Sequence, residues 1–241
     1  MCSIIVVRAA WADTPLLICA NRDEQLSRPS EGLRLRRIGE RQVVSPRDLQ
    51  AGGTWLGTND YGLFVGITNR FSGPPDASRR SRGALVHHAL EADTVAEAIR
   101  TVEALPADTF NPCHLLLASL TDLAVLVNTG SEWSKPTLEC DVVIVSERTF
   151  DAAPTTRDSL LDEGVQQWLR QSSGPDNQDI QRLMSTHATP TFEGACVHWL
   201  ERGYGTRTLT VIRSDENGSL YHYSTDGPPC TSPLIRFGKT V

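Results

Sequence analysis

The chain has 241 residues, 23 Lys plus Arg against 29 Asp plus Glu for a formal net charge of -6, and 39% hydrophobic against 22% charged residues. That balance belongs to a globular protein and excludes a disordered one. The acidic charge excludes a sequence-blind nucleic-acid or anionic-membrane binder, which would carry a basic stripe. No apolar run approaches the ~18–20 residues that span a bilayer, so no integral membrane segment is expected.

The start, Met1-Cys2-Ser3-Ile4-Ile5-Val6-Val7, is apolar and β-branched and predicts a buried strand over Ser3–Val7. No basic region precedes it and Arg8 interrupts it, so it does not read as a secretory signal. Asp13-Thr14-Pro15 signals a turn, and Leu16–Asn21 predicts a second strand, paired with the first as a hairpin. Arg28-Pro29-Ser30 and Glu31-Gly32 break the pattern. Short strands are expected at Arg41–Ser45, Thr54–Thr58 and Gly62–Thr68, then a loop over Phe71–Gly83.

There the period changes. Ala84, Leu85, His88 and Ala89, then Ala96, Ile99, Val102 and Leu105, follow helical spacing in two segments. Thr94 is the expected N-cap of the second, with Glu97 completing a capping box. Strands are expected again at His114–Ser119, Ala124–Asn128 and Asp141–Ser146, and helices at Asp158–Gln171 and Gln178–His187. Arg207–Ser214 and Ser219–Ser224 flank Asn217-Gly218, a hairpin signal. Strands, helices, strands, helices, strands is not the alternation of a parallel doubly wound sheet. It predicts an α+β fold of two mostly antiparallel sheets covered by helices, in a single domain over residues 1–241.

The six cysteines, Cys2, Cys19, Cys113, Cys140, Cys196 and Cys230, include no CxxC pair, and the chain is not a short secreted one. Free thiols in a cytoplasmic protein are expected. Cys2 stands apart by position. If Met1 is removed, the α-amine of Cys2, with an intrinsic pKa of ~7.7–8.0, sits on the same residue as the thiol and is poised as its general base. An ordinary second residue on a buried strand is the plainer alternative. Asn21-Arg22-Asp23-Glu24 ends the second strand with consecutive polar groups that the hairpin could bring near the terminus. A carboxylate there could hold an ammonium, and a guanidinium would favour a thiolate.

Gly52-Gly53-Thr54-Trp55-Leu56-Gly57 is not a phosphate loop, since neither Lys-Ser nor Lys-Thr follows. Asn59–Gly62 reads as a turn, and Asn69, an uncharged donor at a strand end, suits an oxyanion hole. Cys113-His114 and His87-His88 lack metal-ligand spacing, and no motif implies a metal or cofactor. Trp55, Trp133 and Trp199 suit either an apolar acyl pocket or simple packing.

Met1-Cys2, Asn21-Arg22-Asp23-Glu24, Gly52–Gly57 and Tyr204-Gly205-Thr206-Arg207 together resemble the NRDE proteins, also called the transport and Golgi organisation protein 2 family. The resemblance implies the N-terminal-nucleophile hydrolase fold, a four-layer αββα sandwich. Leu56–Phe71 is also similar to the choloylglycine hydrolase and penicillin V acylase group. By that likeness Cys2 is the nucleophile, Asp23 holds its amine, Asn69 is an oxyanion donor and Arg207 is the late arginine of the site. Trp55 and Asn59 are expected to bind substrate. Two positions depart from the acylase pattern. Arg22 lies one residue before Asp23 rather than three. Glu147, after Ser146, stands where a second oxyanion asparagine is expected, and a carboxylate there repels an oxyanion unless protonated.

The resemblance implies an N-terminal-cysteine hydrolase or acyltransferase acting on a non-peptide amide, thioester or ester, with a small-molecule acyl substrate or apolar ligand as partner. The alternative it leaves is a non-catalytic lipid, acyl-CoA or haem binding and trafficking protein on the same fold.

Overall fold

The computed structural model describes residues 2–150 and 154–240. It divides into two compact units, one of residues 1–27 and 140–240 and the other of residues 28–139. Both are built on seven-stranded antiparallel sheets. Among the described residues no helix is long and apolar enough to cross a membrane.

In the first unit β1 (Cys2–Arg8) and β2 (Leu16–Gln25) form the expected hairpin, with Cys2 opposite Arg22 and Ile5 opposite Cys19. β2 runs further than its apolar pattern, because Asn21, Arg22 and Asp23 stay buried and paired. β10 (Val142–Val145) borders β1, and β12 (Tyr204–Ser214) borders β2. β13 (Leu220–Ser224) and β14 (Ile235–Thr240) complete the row, and the two-residue β11 (His198–Trp199) pairs with the start of β12. The turn between β12 and β13 holds Gly218 at φ 82°, the left-handed region that Asn-Gly foretells.

Side chains on a strand alternate between faces, so Ile5, Val7, Leu17, Cys19, Leu209 and Val211 line one side of this sheet. They pack on α3 (Thr156–Leu169) and α4 (Asn177–Met184) through Leu161, Val165, Trp168, Ile180 and Met184. α3 begins earlier than the apolar period shows. Thr155 caps it and exchanges hydrogen bonds with Asp158 in a capping box, which places Arg157 in the first turn.

The second unit orders its strands β3 (Ser30–Ile38), β4 (Arg41–Asp48), β5 (Leu56–Asn59), β6 (Phe64–Asn69), β7 (Cys113–Ala118), β8 (Leu123–Asn128) and β9 (Trp133–Ser134). Residues Ser30–Gly32, expected to break the pattern, instead open β3. This is an edge strand with a bulge between Glu31 and Arg34, and its arginines blur the alternation that announces a strand. β9, β11 and β14 were also not expected. Two-residue strands carry no period to read, and Ile235 and Phe237 are exposed.

Helices α1 (Gly83–Ala89) and α2 (Val95–Glu103) fall where the period changes. Thr94 accepts from the Glu97 amide as expected, but the Glu97 carboxylate reaches the amide of Asp93, one residue before the cap. Both helices pack on Val65, Leu115, Leu117 and Leu126. The Gly52-Gly53 run has a packing reason. A Cβ on Gly53 would lie 2.8 Å from the Gly83 carbonyl carbon, so the strand entry and the start of α1 meet backbone to backbone.

Candidate functional site

Cys2 opens β1 and is partly buried. Register puts it directly opposite Arg22, so the two share a face of the sheet and Asp23 projects from the other. The Cys2 Sγ lies 3.8 Å from the main-chain oxygen of Asp23. The Tyr204 hydroxyl donates to that same oxygen at 2.9 Å. Burial pushes the Cys2 thiol above its ordinary pKa, and the carboxylates of Asp23 and Glu24 push it the same way. The guanidinium of Arg22, 4% exposed, stands 4.0 Å from Glu24. Burial and these charges disfavour the thiolate, so attack by the sulfur calls for a base.

The Asp23 carboxylate is buried, and each of its oxygens accepts a hydrogen bond. Arg157 Nη1 donates to one oxygen at 3.0 Å, and Thr206 Oγ1 donates to the other at 2.6 Å. Arg157 also donates to the Phe192 carbonyl at 2.8 Å, which anchors the guanidinium independently of Asp23. Thr206 in turn accepts from the Val197 amide at 2.8 Å. Arg157 lies outside the motifs of the sequence. A Thr-x-x-Asp capping box two residues before it was the available signal. Tyr204 and Thr206 lay inside the Tyr-Gly-Thr-Arg motif without an assigned role.

Glu147 follows β10 in a turn and is half buried. With Ser146, Arg157 and Phe192 it lines a cavity of about 380 Å³. Burial raises the pKa of its carboxyl, and the nearby Arg157 and Arg148 only partly offset this. Burial also raises the phenol pKa of Tyr204, and the acidic groups of Cys2, Asp23, Glu24 and Glu147 act in the same direction when ionised. These effects place Cys2, Asp23, Glu147 and Tyr204 in one electrostatic neighbourhood.

Arg207 is the extra residue of a bulge. Thr206 pairs with Asp23 and Thr208 with Arg22, so Arg207 has no strand partner of its own. Its guanidinium donates to the carbonyls of Gln25 and Leu26 as β2 ends.

The other expected residues belong to the second unit. Asn69 ends β6 opposite Cys113 and is exposed, and its side-chain amide makes no hydrogen bond among the described residues. Trp55 is half buried against the core beneath α1 and α2. Asn59 is 1% exposed. Its Nδ2 donates to the carbonyls of Leu90 at 3.0 Å and Ala92 at 2.7 Å. Its Oδ1 accepts from the amides of Tyr61 and Leu63, both at 3.0 Å. Two donors and two lone pairs are thus all engaged, which leaves no group for a substrate. In the same unit Arg79 donates to the carbonyls of Phe110 and Gly130, and Arg82 to that of Pro112.

Comparison with known proteins agrees with this architecture. The N-acylethanolamine-hydrolyzing acid amidase ortholog of Caenorhabditis elegans superposes with a TM-score of 0.62 at 13% identity, over 87% of this chain and 92% of that one. Penicillin V acylase from Agrobacterium tumefaciens gives 0.56 at 15% identity, over 94% and 84%. The C2A mutant of the conjugated bile acid hydrolase from Clostridium perfringens gives 0.56 at 10% identity, over 99% and 97%. At such identities the likeness is one of fold, the N-terminal-nucleophile hydrolase fold.

Sequence relatives are nearer. The human transport and Golgi organization protein 2 homolog is 32% identical over 85% of this chain and 84% of its own length. The mouse homolog is 30% identical over the same shares. The description Transport and Golgi organisation 2 matches residues 1–225. With its Asn-Arg-Asp-Glu and Tyr-Gly-Thr-Arg motifs meeting at Asp23, the chain belongs to the transport and Golgi organisation 2 family.

Proposed function

We propose that the protein is a hydrolase or acyltransferase whose nucleophile is the Cys2 thiol and whose substrate is a non-peptide amide, thioester or ester. The observation that supports it most is the setting of Cys2. The sulfur rests on the Asp23 backbone, and Arg157 and Thr206 hold the Asp23 carboxylate in place. Met1 lies outside the described residues, and its removal is part of the proposal. The freed α-amine then belongs to Cys2, and Asp23 orients it. The amine takes the thiol proton, and the sulfur bonds to the substrate carbonyl carbon. The proton passes to the leaving nitrogen, oxygen or sulfur as its bond to carbon breaks. Water, or an acceptor amine or alcohol, then cleaves the thioester and restores the thiol.

A base is called for because burial and the neighbouring carboxylates disfavour the thiolate. An amine with an ordinary pKa of ~7.7–8.0 is suited to that task near neutral pH. Burial shifts Glu147 toward the neutral carboxyl, which lessens its repulsion of an oxyanion. We assign the polar end of the substrate to the cavity lined by Glu147, Arg157 and Phe192. Arg22 and Arg207 are assigned to shaping the strand ends around Cys2.

Intact mass spectrometry of the protein made in its own host, with and without an acyl electrophile, tests the reading. Loss of Met1 and a single acyl adduct that disappears in Cys2→Ala are expected. Quantitative retention of Met1 with no adduct would overturn it.

The raised thiol pKa also favours a second reading, because it makes Cys2 a poor nucleophile at rest. This is a non-catalytic lipid, acyl-CoA or haem binding and trafficking protein on the same fold. A Cys2→Ala variant that keeps ligand binding and full cellular complementation would select it.

A further inference from the structure

Away from Cys2, four side chains with metal-ligating atoms converge from three segments of the first unit. His187 follows α4, Cys196 and His198 flank Val197 at β11, and Cys230 lies in the loop between β13 and β14. Their donor atoms all lie within 4.8 Å of one another. Cys196 Sγ is 3.6 Å from Cys230 Sγ and 3.5 Å from His198 Nε2, and His198 Nε2 is 3.1 Å from Cys230 Sγ. The rings of His187 and His198 stand edge to face with centroids 5.0 Å apart.

The Cys196–Cys230 and Cys196–His198 spacings stand at the edge lengths of a metal tetrahedron, and the His198–Cys230 spacing is shorter by about 0.4 Å. With Zn–S near ~2.3 Å and Zn–N near ~2.0–2.1 Å, two sulfurs stand about 3.8 Å apart and a sulfur and nitrogen about 3.5 Å apart. A disulfide would need the sulfurs at about 2.0 Å. We propose that His187, Cys196, His198 and Cys230 form a structural zinc site. Two thiolates and two imidazoles are a donor set that suits zinc, and four protein ligands leave no open position for catalysis. Binding releases the two thiol protons.

The ligand-bearing segments are already tied together. The Cys196 amide donates to the Thr186 carbonyl at 3.0 Å. Gln181 on α4 donates to the carbonyls of Pro229 and Ser232, either side of Cys230, at 2.7 and 2.9 Å. Cys196 is buried, whereas His187 is exposed, so an ion has a path in. The site also bears on Asp23. Val197, between two ligands, donates to Thr206, and Thr206 donates to Asp23. A metal at this point fastens the strand segment that braces that carboxylate. The inference stands independently of the proposed chemistry at Cys2.

The test is a Co²⁺ titration of the full chain, reduced and stripped by chelator under anaerobic conditions, with native metal content measured by plasma mass spectrometry. Visible d–d bands of tetrahedral Co²⁺ and a thiolate charge-transfer band should saturate at one equivalent and vanish when Zn²⁺ is added. Cys196→Ser and Cys230→Ser should each lose charge-transfer intensity, and His187→Ala should weaken binding with both thiolates retained. Cys140→Ser, which removes an exposed thiol elsewhere, should change nothing. If a cysteine variant fails to fold, zinc recovered with the wild-type protein and the His187→Ala titration still decide the question. Absence of tetrahedral bands from reduced wild-type protein would overturn the site. So would bands that persist in a Cys196→Ser/Cys230→Ser variant, or a native Cys196–Cys230 disulfide whose reduction exposes no cobalt site.

Discussion

Arg157 Nη1 donates to Asp23 Oδ2 at 3.0 Å, joining the first turn of α3 to β2 across 134 residues of chain. The two side chains are 5% and 0% exposed. Removing one member of such a pair leaves the other charge buried without its partner, which costs about 3–5 kcal/mol. Arg157→Met should therefore lower unfolding stability by about that amount. The Arg157→Met/Asp23→Asn double variant should lose clearly less than the sum of the single losses. Urea unfolding of the four proteins measures this coupling, and additive losses would show that the pair is not energetically linked.

Asn59 joins the β5–β6 turn to the end of α1 through four hydrogen bonds, all to backbone groups. Asn59→Ala strips the partner from three buried groups, the Leu90 and Ala92 carbonyls and the Leu63 amide, and should cost about 3 kcal/mol, since each orphaned group forfeits roughly 1 kcal/mol. Acylation of Cys2 in the fraction that remains folded should not change. A variant that unfolds at the wild-type urea midpoint but fails to acylate would return Asn59 to substrate binding.

Glu147 titrates above the ordinary carboxylate range because its carboxyl is half buried in the cavity wall. Its folded pKa exceeds its unfolded one, so the unfolded chain releases this proton first. The stability attached to the neutral form is complete below the unfolded pKa and is lost as pH rises through the folded pKa. Glu147→Gln, neutral at every pH, should match the wild type near about pH 4 and melt above it near about pH 7. Thermal melts of both proteins across that range give the answer, and a constant offset between them would show that Glu147 carries no such linkage.

Much of the fold was legible along the chain because its signals are local. The β-branched run Ile4–Val7, the Thr94 cap, the change of period near residue 84 and Asn217-Gly218 each specify a geometry within a few residues. β3 was not legible, because an edge strand with arginines on both faces loses the alternation that burial imposes. The candidate site was half legible. Cys2, Asp23 and Tyr204–Arg207 lie in motifs, and strand register then brings Thr206 opposite Asp23. Arg157 lies in no motif, and its role follows from where α3 begins.

The sequence by itself determined the fold class, the family and the identity of the thiol that stands second in the chain, since motif order and periodicity survive in one dimension. The six cysteines, alike in composition, were sorted only by the tertiary structure. Cys19 and Cys113 are closed in apolar cores, Cys140 is exposed, and Cys196 and Cys230 meet two histidines. Cys196 and Cys230 are separated by 34 positions and His187 lies outside both, so no spacing rule could have joined them. They meet because the antiparallel hairpin of β12 and β13 returns the chain to the β11 end of β12, where Gln181 of α4 holds the loop that carries Cys230, and side chains that share a point in space then interact whatever their distance in sequence.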